Sequence, residues 1–312
     1  MLGRATMASW MIKLGTVHLV PLINLLNECM LEEAVIHCDE TRLQVLRSDK
    51  APTADHWMWV RAAGPPGRRI VLFDYDASRS GKVPKRLLED YRGILVTDGY
   101  EPYVAVATAL NLTHAGCFAH VRRKFDEAYK AQQTTNAPGS HARAALDFIR
   151  QLYQVDRPLW DKDQRIAPAQ RLQIREALSR PIIQEFRAWL ESISPQVLPN
   201  SLLGKAVYYT LGQWPKLLAF LAHGEVPLDN NRCENAIRPF VIGRKGWLFT
   251  DTVKGAIASA NLYSLVETAK ANEIEPYAFL SWLFEKLPHA SSVDDFERLL
   301  PWKMTVNGKD LH

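Results

Sequence analysis

Three acidic residues in this sequence could together carry metal-assisted chemistry. Asp39 lies in the string HCDETRLQVL, Asp98 in ILVTDGY and Glu234 in DNNRCENAIRPFVIGRKGW. Two aspartates and a glutamate are what a two-metal phosphoryl-transfer site requires. Mg2+ is a hard cation that takes oxygen ligands and keeps several waters, so few carboxylates suffice. Two ions about 3.5–4 Å apart activate the attacking oxygen and stabilise the leaving one. Their spacing in the sequence is immaterial if the fold brings them together. Each residue also has a plainer explanation. Asp98-Gly99 is a turn by composition, and taken alone the turn prevails. An acid inside a strand, as at Asp39, needs only a partner or water. Glu234 and Arg238, at i and i+4, would make a solvated pair worth about 0.3–0.5 kcal/mol.

Asp229 is placed to cap a short helix that Pro239 would end. On that helix Asn231, Glu234 and Arg238 share one face, which leads into Arg244-Lys245. Polar groups gather there where a helix would otherwise pack. Asn231, Arg238, Arg244 and Lys245 are therefore candidate DNA contacts, with Arg122, Arg123 and Lys124. Cations beside phosphates supply most non-specific nucleic-acid affinity, although basic clusters are commonly just solvated faces. Trp247 could stack on an unpaired base, worth about 1–3 kcal/mol, or serve as packing. Cys117 and His120 are spaced like half a zinc site, but no second pair accompanies them. His120 could equally assist a proton transfer near the metals. Cys38 and Cys233 each precede a candidate carboxylate. Neighbouring side chains diverge, so both read as small buried hydrophobes. Trp57 and Trp59 share one side of a strand and read as core.

The string RRIVLFDYDAS offers a rival chemistry. An apolar strand ending in Asp74-Tyr75-Asp76 resembles the first motif of haloacid-dehalogenase-type phosphatases. There the first Asp is a nucleophile and the second an acid/base, which is covalent catalysis. That family also needs a late acidic pair, typically GDxxxD, which this sequence lacks.

The elements that must position these residues follow from patterning. Runs rich in β-branched and aromatic residues predict strands at Val35–Leu46, Trp57–Ala62, Ile70–Tyr75 and Ile94–Thr97, with a fifth at Ala115–Ala119. Helices are expected at Met1–Met30, Pro84–Tyr91, Tyr103–Leu110, Leu202–Leu221 and Gly255–Ala271. Two stretches, Gln132–His141 and Ser192–Ser201, are loops by composition. Between them Leu178, Ile182, Phe186, Trp189 and Leu190 form an amphipathic stripe that Pro181 interrupts, so a kink or two helices are expected. The order β-β-β-α-β-α-β implies a mixed sheet with helices against its faces, interrupted by a helical insertion.

Composition bounds the class. The 312 residues are 47% hydrophobic and 23% charged, which excludes disordered, collagen-like and coiled-coil chains. No apolar run reaches the roughly 18 residues of a membrane span, and Met1–Trp10 lacks the pattern of a secretion signal. Cys29, Cys38, Cys117 and Cys233 stand far apart, so reduced thiols are the default. A net charge of +4 permits a polyanionic partner without demanding one.

Five strings in order carry a resemblance: HCDETRLQVL, LVTDGYEPY, GCFAHVRRKFDEA, DNNRCENAIRPFVIGRKGWLF and LYSLVETAKANEIEPYAFL. Together they resemble the transposases of the insertion sequence 66 family, from about Ala5 to about Pro301. The resemblance implies an α/β fold with a ribonuclease-H-like mixed-sheet core flanked by helices. It implies an Asp-Asp-Glu site at Asp39, Asp98 and Glu234 that uses Mg2+, with Mn2+ as a substitute. On that pattern residues 1–34 are a helical remnant of a DNA-binding region, 35–125 and 202–285 the two parts of the core, 126–201 a helical insertion and 286–312 a tail. The implied reaction is cleavage at transposon ends followed by strand transfer into target DNA. The implied partners are double-stranded DNA, further copies of the chain and accessory transposon-encoded proteins, in the bacterial cytoplasm at the nucleoid, with no membrane. A structure-specific nuclease and a catalytically silent DNA-binding remnant are the alternatives. Complete members carry an N-terminal end-recognition region, and this chain starts at what resembles its tail. The sequence also leaves the family pattern after Trp302.

Overall fold

The computed structural model describes residues 3–133, 140–161, 166–306 and 309–310. Its strands include β1 (Val35–Arg47), β2 (Asp55–Ala63), β3 (Ile70–Asp76), β4 (Ile94–Val96), β5 (Thr113–Ala115) and β6 (Thr250–Thr252). The mixed α/β class expected from the sequence holds. The chain forms two compact units, one of residues 1–93, 108–110 and 232–312, the other of 94–107 and 111–231.

The first unit is built on β1. It pairs antiparallel with β2, setting Asp39 opposite Val60. In turn β2 pairs antiparallel with β3, setting Val60 opposite Phe73, and β6 adds a parallel partner to β1 at Val45 and Arg47. Side chains alternate along a strand, so Asp39, Thr41, Leu43 and Val45 share one face. Leu43, Val45, Met58, Val60, Val71 and Phe73 are buried there beneath Cys233, Ile237 and Phe240 of the Glu234 helix (Asn231–Trp247) and Ala256 and Ala260 of the next helix (Val253–Ala271).

That second helix also closes the sheet edge. Ser264 accepts the Phe73 N–H, Thr268 accepts from and donates to the Val71 backbone, and Asn272 does the same for Arg69. Residues at i, i+4 and i+8 lie on one helix face, so three polar side chains satisfy backbone groups that an edge strand otherwise leaves open. The N-terminal helices dock on the same helix at Gly15, where a Cβ would come within 2.8 Å of Ala258.

The opposite face of this sheet is held by buried Arg61, which donates to Asn27, to the Leu87 carbonyl and to Asp74 at 3.0 Å. Trp59 is core as expected. Trp57 departs from that expectation: it is half-buried, with the Arg79 guanidinium 4.6 Å over its ring.

In the second unit β4 and β5 run parallel, joined by the helix Glu101–Ala109 in a crossover. Among the described residues six further α-helices follow, from Phe118–Gln133 to Ala219–Ala222. They hold an aromatic group in which buried Phe186 and Trp214 meet half-buried Phe148 and Trp189. They also bury the ion pair of Arg175 and Asp156, Nε to Oδ1 2.7 Å.

The fifth strand is Thr113–Ala115, and Phe118 begins a helix. The helix expected at Pro84–Tyr91 is Lys82–Leu87. Leu178 is exposed, and the buried stripe is Ile183, Phe186, Leu190 and Ile193. Pro181 sits in the first turn of Arg180–Ile193, behind a π-helical turn at Arg175–Ser179. A wider turn makes room for a ring that would strike the carbonyl four residues back. The Ser192–Ser201 loop begins later, after helix to Ile193 and a 3-10 turn at Ser194–Gln196. Residues 134–139 of the expected Gln132–His141 loop lie outside the described residues. Pro239 does not end the Glu234 helix, which runs on to Trp247. The lost N–H would have served Asn235, which is exposed.

Candidate active site

Asp39 and Glu234 belong to the first unit. In β1 the neighbouring acids diverge. Glu40 turns to the opposite face and is ion-paired with Arg79 at 2.7 Å. Asp39 turns to the face that the Glu234 helix covers, its Oδ1 accepting the Glu40 N–H at 2.8 Å. Two contacts seat that helix: the Cys233 thiol donates to the Val60 carbonyl at 3.2 Å, and Arg232 donates to the Gly64 carbonyl at 2.9 Å. Because Val60 is the cross-strand partner of Asp39, the helix starts at the level of that aspartate. Burial pushes the Cys233 thiol up, and the charges of Asp39, Cys38, Glu40 and Glu234 add to that in decreasing order. Further along, Arg244 donates to the Thr41 hydroxyl at 3.2 Å, two residues from Asp39 on the same face.

Cys38 and Cys233 are buried as the sequence reading expects, with burial pushing Cys38 up to about 12. Neither offers a thiolate ligand at neutral pH. Arg238 and Lys245 are exposed on the Glu234 helix. Trp247 is partly exposed, its ring edge-on to Phe240 with centroids 5.4 Å apart. The rival aspartates are tied into structure, Asp74 to buried Arg61 and Asp76 to Arg86 and the Ser78 N–H.

Asp98 belongs to the second unit, directly after β4. Its Oδ1 accepts the Tyr100 N–H at 2.9 Å, and Thr97 donates to its carbonyl. Gly99 is required by close approach, since a Cβ would lie 2.8 Å from the Tyr209 ring. Burial pushes the Tyr209 phenol well up, the Asp98 charge adds to that, and a Gly99 backbone hydrogen bond partly offsets it. Lys124 lies 4.6 Å over the same ring. Burial lowers Lys216, while Glu101 and Asp98 oppose that shift. Tyr209, Lys216 and Arg232 carried no signal in the sequence, because ordinary helix positions acquire these roles only through tertiary contact.

Also in this unit, Arg122 and Arg123 are exposed, with Arg123 3.4 Å from the His120 ring nitrogen. The Asn231 amide donates to Asp229 at 2.7 Å, and Tyr153 donates to the same carboxylate oxygen. Buried Cys117 accepts the Asn230 N–H.

These features define a mixed α/β protein in which Asp39 lies on a sheet face covered by the helix that carries Glu234, while Asp98 follows a strand of the other unit. Its sequence matches the family model described as Transposase IS66 family over residues 1–258 and that described as IS66 C-terminal element over residues 264–302. The chain therefore belongs to the IS66 transposase family. It is similar to two proteins of Sinorhizobium fredii described as uncharacterized. With y4jD it is 29% identical over 313 residues, covering 96% of this chain and 59% of that protein. With y4hP it is 27% identical over 303 residues, covering 93% of this chain and 54% of that protein. The chain thus spans little more than half the length of these curated relatives. No single helix among the described residues is long and apolar enough to cross a membrane.

Proposed function

We propose that this chain carries the DNA strand-cleavage and strand-transfer chemistry of a transposase, with Asp39, Asp98 and Glu234 as the acidic triad. What supports this reading is that Asp39 lies on the sheet face covered by the helix that carries Glu234, a helix held there by Cys233 on Val60. Membership of a transposase family supports the reaction class. The donor chemistry suits hard divalent cations: the three groups are half-buried carboxylates, and the thiols beside two of them are kept protonated by burial.

Asp39, Asp98 and Glu234 would hold two Mg2+, or Mn2+ in their place. Such ions would supply Lewis acidity for phosphoryl transfer. The chain's own residues position the rest. Arg244, anchored on Thr41, sets a cation beside the Asp39 face, and Arg238 and Lys245 offer charge to phosphates. In the second unit Arg122 and Arg123 do the same, and Tyr209 fixes the backbone around Asp98. Little covalent chemistry falls to side chains, so orientation and charge neutralisation carry the rate. Double-stranded DNA is the substrate, at transposon ends and target. Paired ends call for more than one copy, and accessory element-encoded proteins and a place at the bacterial nucleoid belong to the same proposal.

The test is metal-dependent cleavage and joining of labelled element-end DNA. Asp39→Asn, Asp98→Asn and Glu234→Gln should each lower cleavage by about 10²–10³-fold or more while circular dichroism stays native. Near-normal cutting by any of the three removes that residue from the site. Cutting without joined product makes the chain a nuclease, and metal-independent binding without cutting makes it a silent remnant.

A further inference from the structure

Where the Glu234 helix ends, Leu248 takes φ 65°, a left-handed conformation that favours glycine. The Phe249 N–H donates to the Trp247 carbonyl at 2.8 Å, closing a three-residue γ-turn of the rarer, strained hand. The side chains here do not turn inward. Leu248 is 62% exposed, Phe249 43%, Trp247 37% and Ile242, before the turn, 60%. The turn is braced on both sides. Before it, Trp247 rests edge-on against buried Phe240. After it, β6 pairs with β1 from Val45 to Thr250, and Arg47 is ion-paired with Asp251. Strain persists only where surrounding structure over-determines it, and it gathers at functional positions.

Charge identifies what this tip meets. Exposed Asn235, Arg238, Ile242 and Lys245 lead along the helix to it, with Arg244 next to Lys245, and the acid of that face, Glu234, is half-buried in the first turn at the far end of the helix. Asp251, just beyond, is already paired with Arg47. Apolar side chains flanked by cations are the chemistry of protein wedges that enter a base step and kink the duplex. We propose that Leu248 and Phe249 form such a wedge in duplex DNA, with Arg244 and Lys245 holding the flanking phosphates. This rests on the reading of the chain as DNA-acting and adds the place where the duplex is deformed.

The probe is a duplex with 2-aminopurine in its pyrimidine–purine steps, which unstack most easily. Binding of the 312-residue chain should raise its fluorescence. Leu248→Gly relieves the left-handed strain, so it should melt no lower than wild type. It should nevertheless lose the fluorescence gain and bind at least about fivefold more weakly, and Phe249→Ser should behave likewise. Lys245→Ala should keep the fluorescence gain and reduce the salt slope by about one. Unchanged fluorescence and affinity in both tip variants would overturn the wedge. So would wild-type binding without any fluorescence gain, which leaves the DNA reading standing. If the tip variants change only the oligomeric mass, the surface joins copies of the chain and the wedge is overturned. Failure of the wild type to bind DNA at any salt concentration would remove both readings.

Discussion

The thiol of Cys233 donates to the carbonyl of Val60 at 3.2 Å, and Val60 is the residue paired across the sheet with Asp39. This hydrogen bond, with that of Arg232 to Gly64, holds the start of the helix that carries Glu234 at the level of Asp39. Cys233→Ser should keep a donor and most cleavage activity. Cys233→Leu overpacks a fully buried site and should cost about 1–3 kcal/mol. Its cleavage should fall further than the folded fraction does, because the helix carrying Glu234 must shift. Urea unfolding paired with single-turnover cleavage separates the two effects. Equal losses in both would mean that the contact is structural only.

Asp74 separates the phosphatase chemistry from the transposase chemistry. Its carboxylate answers buried Arg61 at 3.0 Å, and Asp74 itself is partly exposed. Asp74→Asn should therefore cost at most about 1.5–3 kcal/mol, the range for a hydrogen bond to a charged group, and leave metal-dependent DNA cleavage intact. Complete loss of phosphate-ester hydrolysis in a variant that still folds would restore the covalent mechanism.

In the second unit Asp156 accepts from Arg175 and from the Trp160 indole at 2.9 Å, and Arg175 also donates to the carbonyls of Phe220 and His223. Asp156→Ala strands a buried guanidinium and should cost about 3–5 kcal/mol. Replacing both partners by apolar residues should recover much of that loss. Chemical denaturation of the two variants checks this, and a mild effect of Asp156→Ala would show that water reaches the arginine.

His114 makes stability depend on pH. Burial lowers it from 6.5 to about 4, with the Lys216 charge adding to the shift, and its ring nitrogen lies 2.8 Å from the Thr97 hydroxyl. The unfolded chain binds a proton that the folded chain refuses between those two values. The neutral imidazole's contribution is therefore complete above pH 6.5 and lost as pH falls towards 4, on the order of 3 kcal/mol. Melting from pH 7 to 4.5 should drop less steeply in His114→Gln than in wild type. Parallel curves would place the titration elsewhere.

How much of this was legible beforehand depended on element length. β1 was readable because Leu43 and Val45 alternate with polar neighbours over a long strand. β6 was not, since Thr250-Asp251-Thr252 has no apolar signal and is a strand only because β1 pairs with it. The fifth strand was displaced because Thr113 and His114 are polar, whereas the more apolar stretch after Ala115 opens a helix. Pro239 misled for a physical reason: a missing N–H costs one hydrogen bond, and packing of Ile237 and Phe240 carries the helix past it. Strand alternation already sends Asp39 and Glu40 to opposite faces, but only the sheet shows which face the Glu234 helix covers. Tyr209 beside Gly99 and Arg232 on Gly64 exist only as tertiary contacts, and no local pattern announces them.

The Ser264, Thr268 and Asn272 side chains that bond to the β3 backbone have a consequence for assembly. A strand from another molecule that approached this border would find the amides of Arg69, Val71 and Phe73 already satisfied. The stretch of β3 from Arg69 to Phe73 is therefore closed to sheet extension by another copy. Any union through this region must be made by side chains, which select a partner by shape and charge where a bare backbone edge would accept almost any strand.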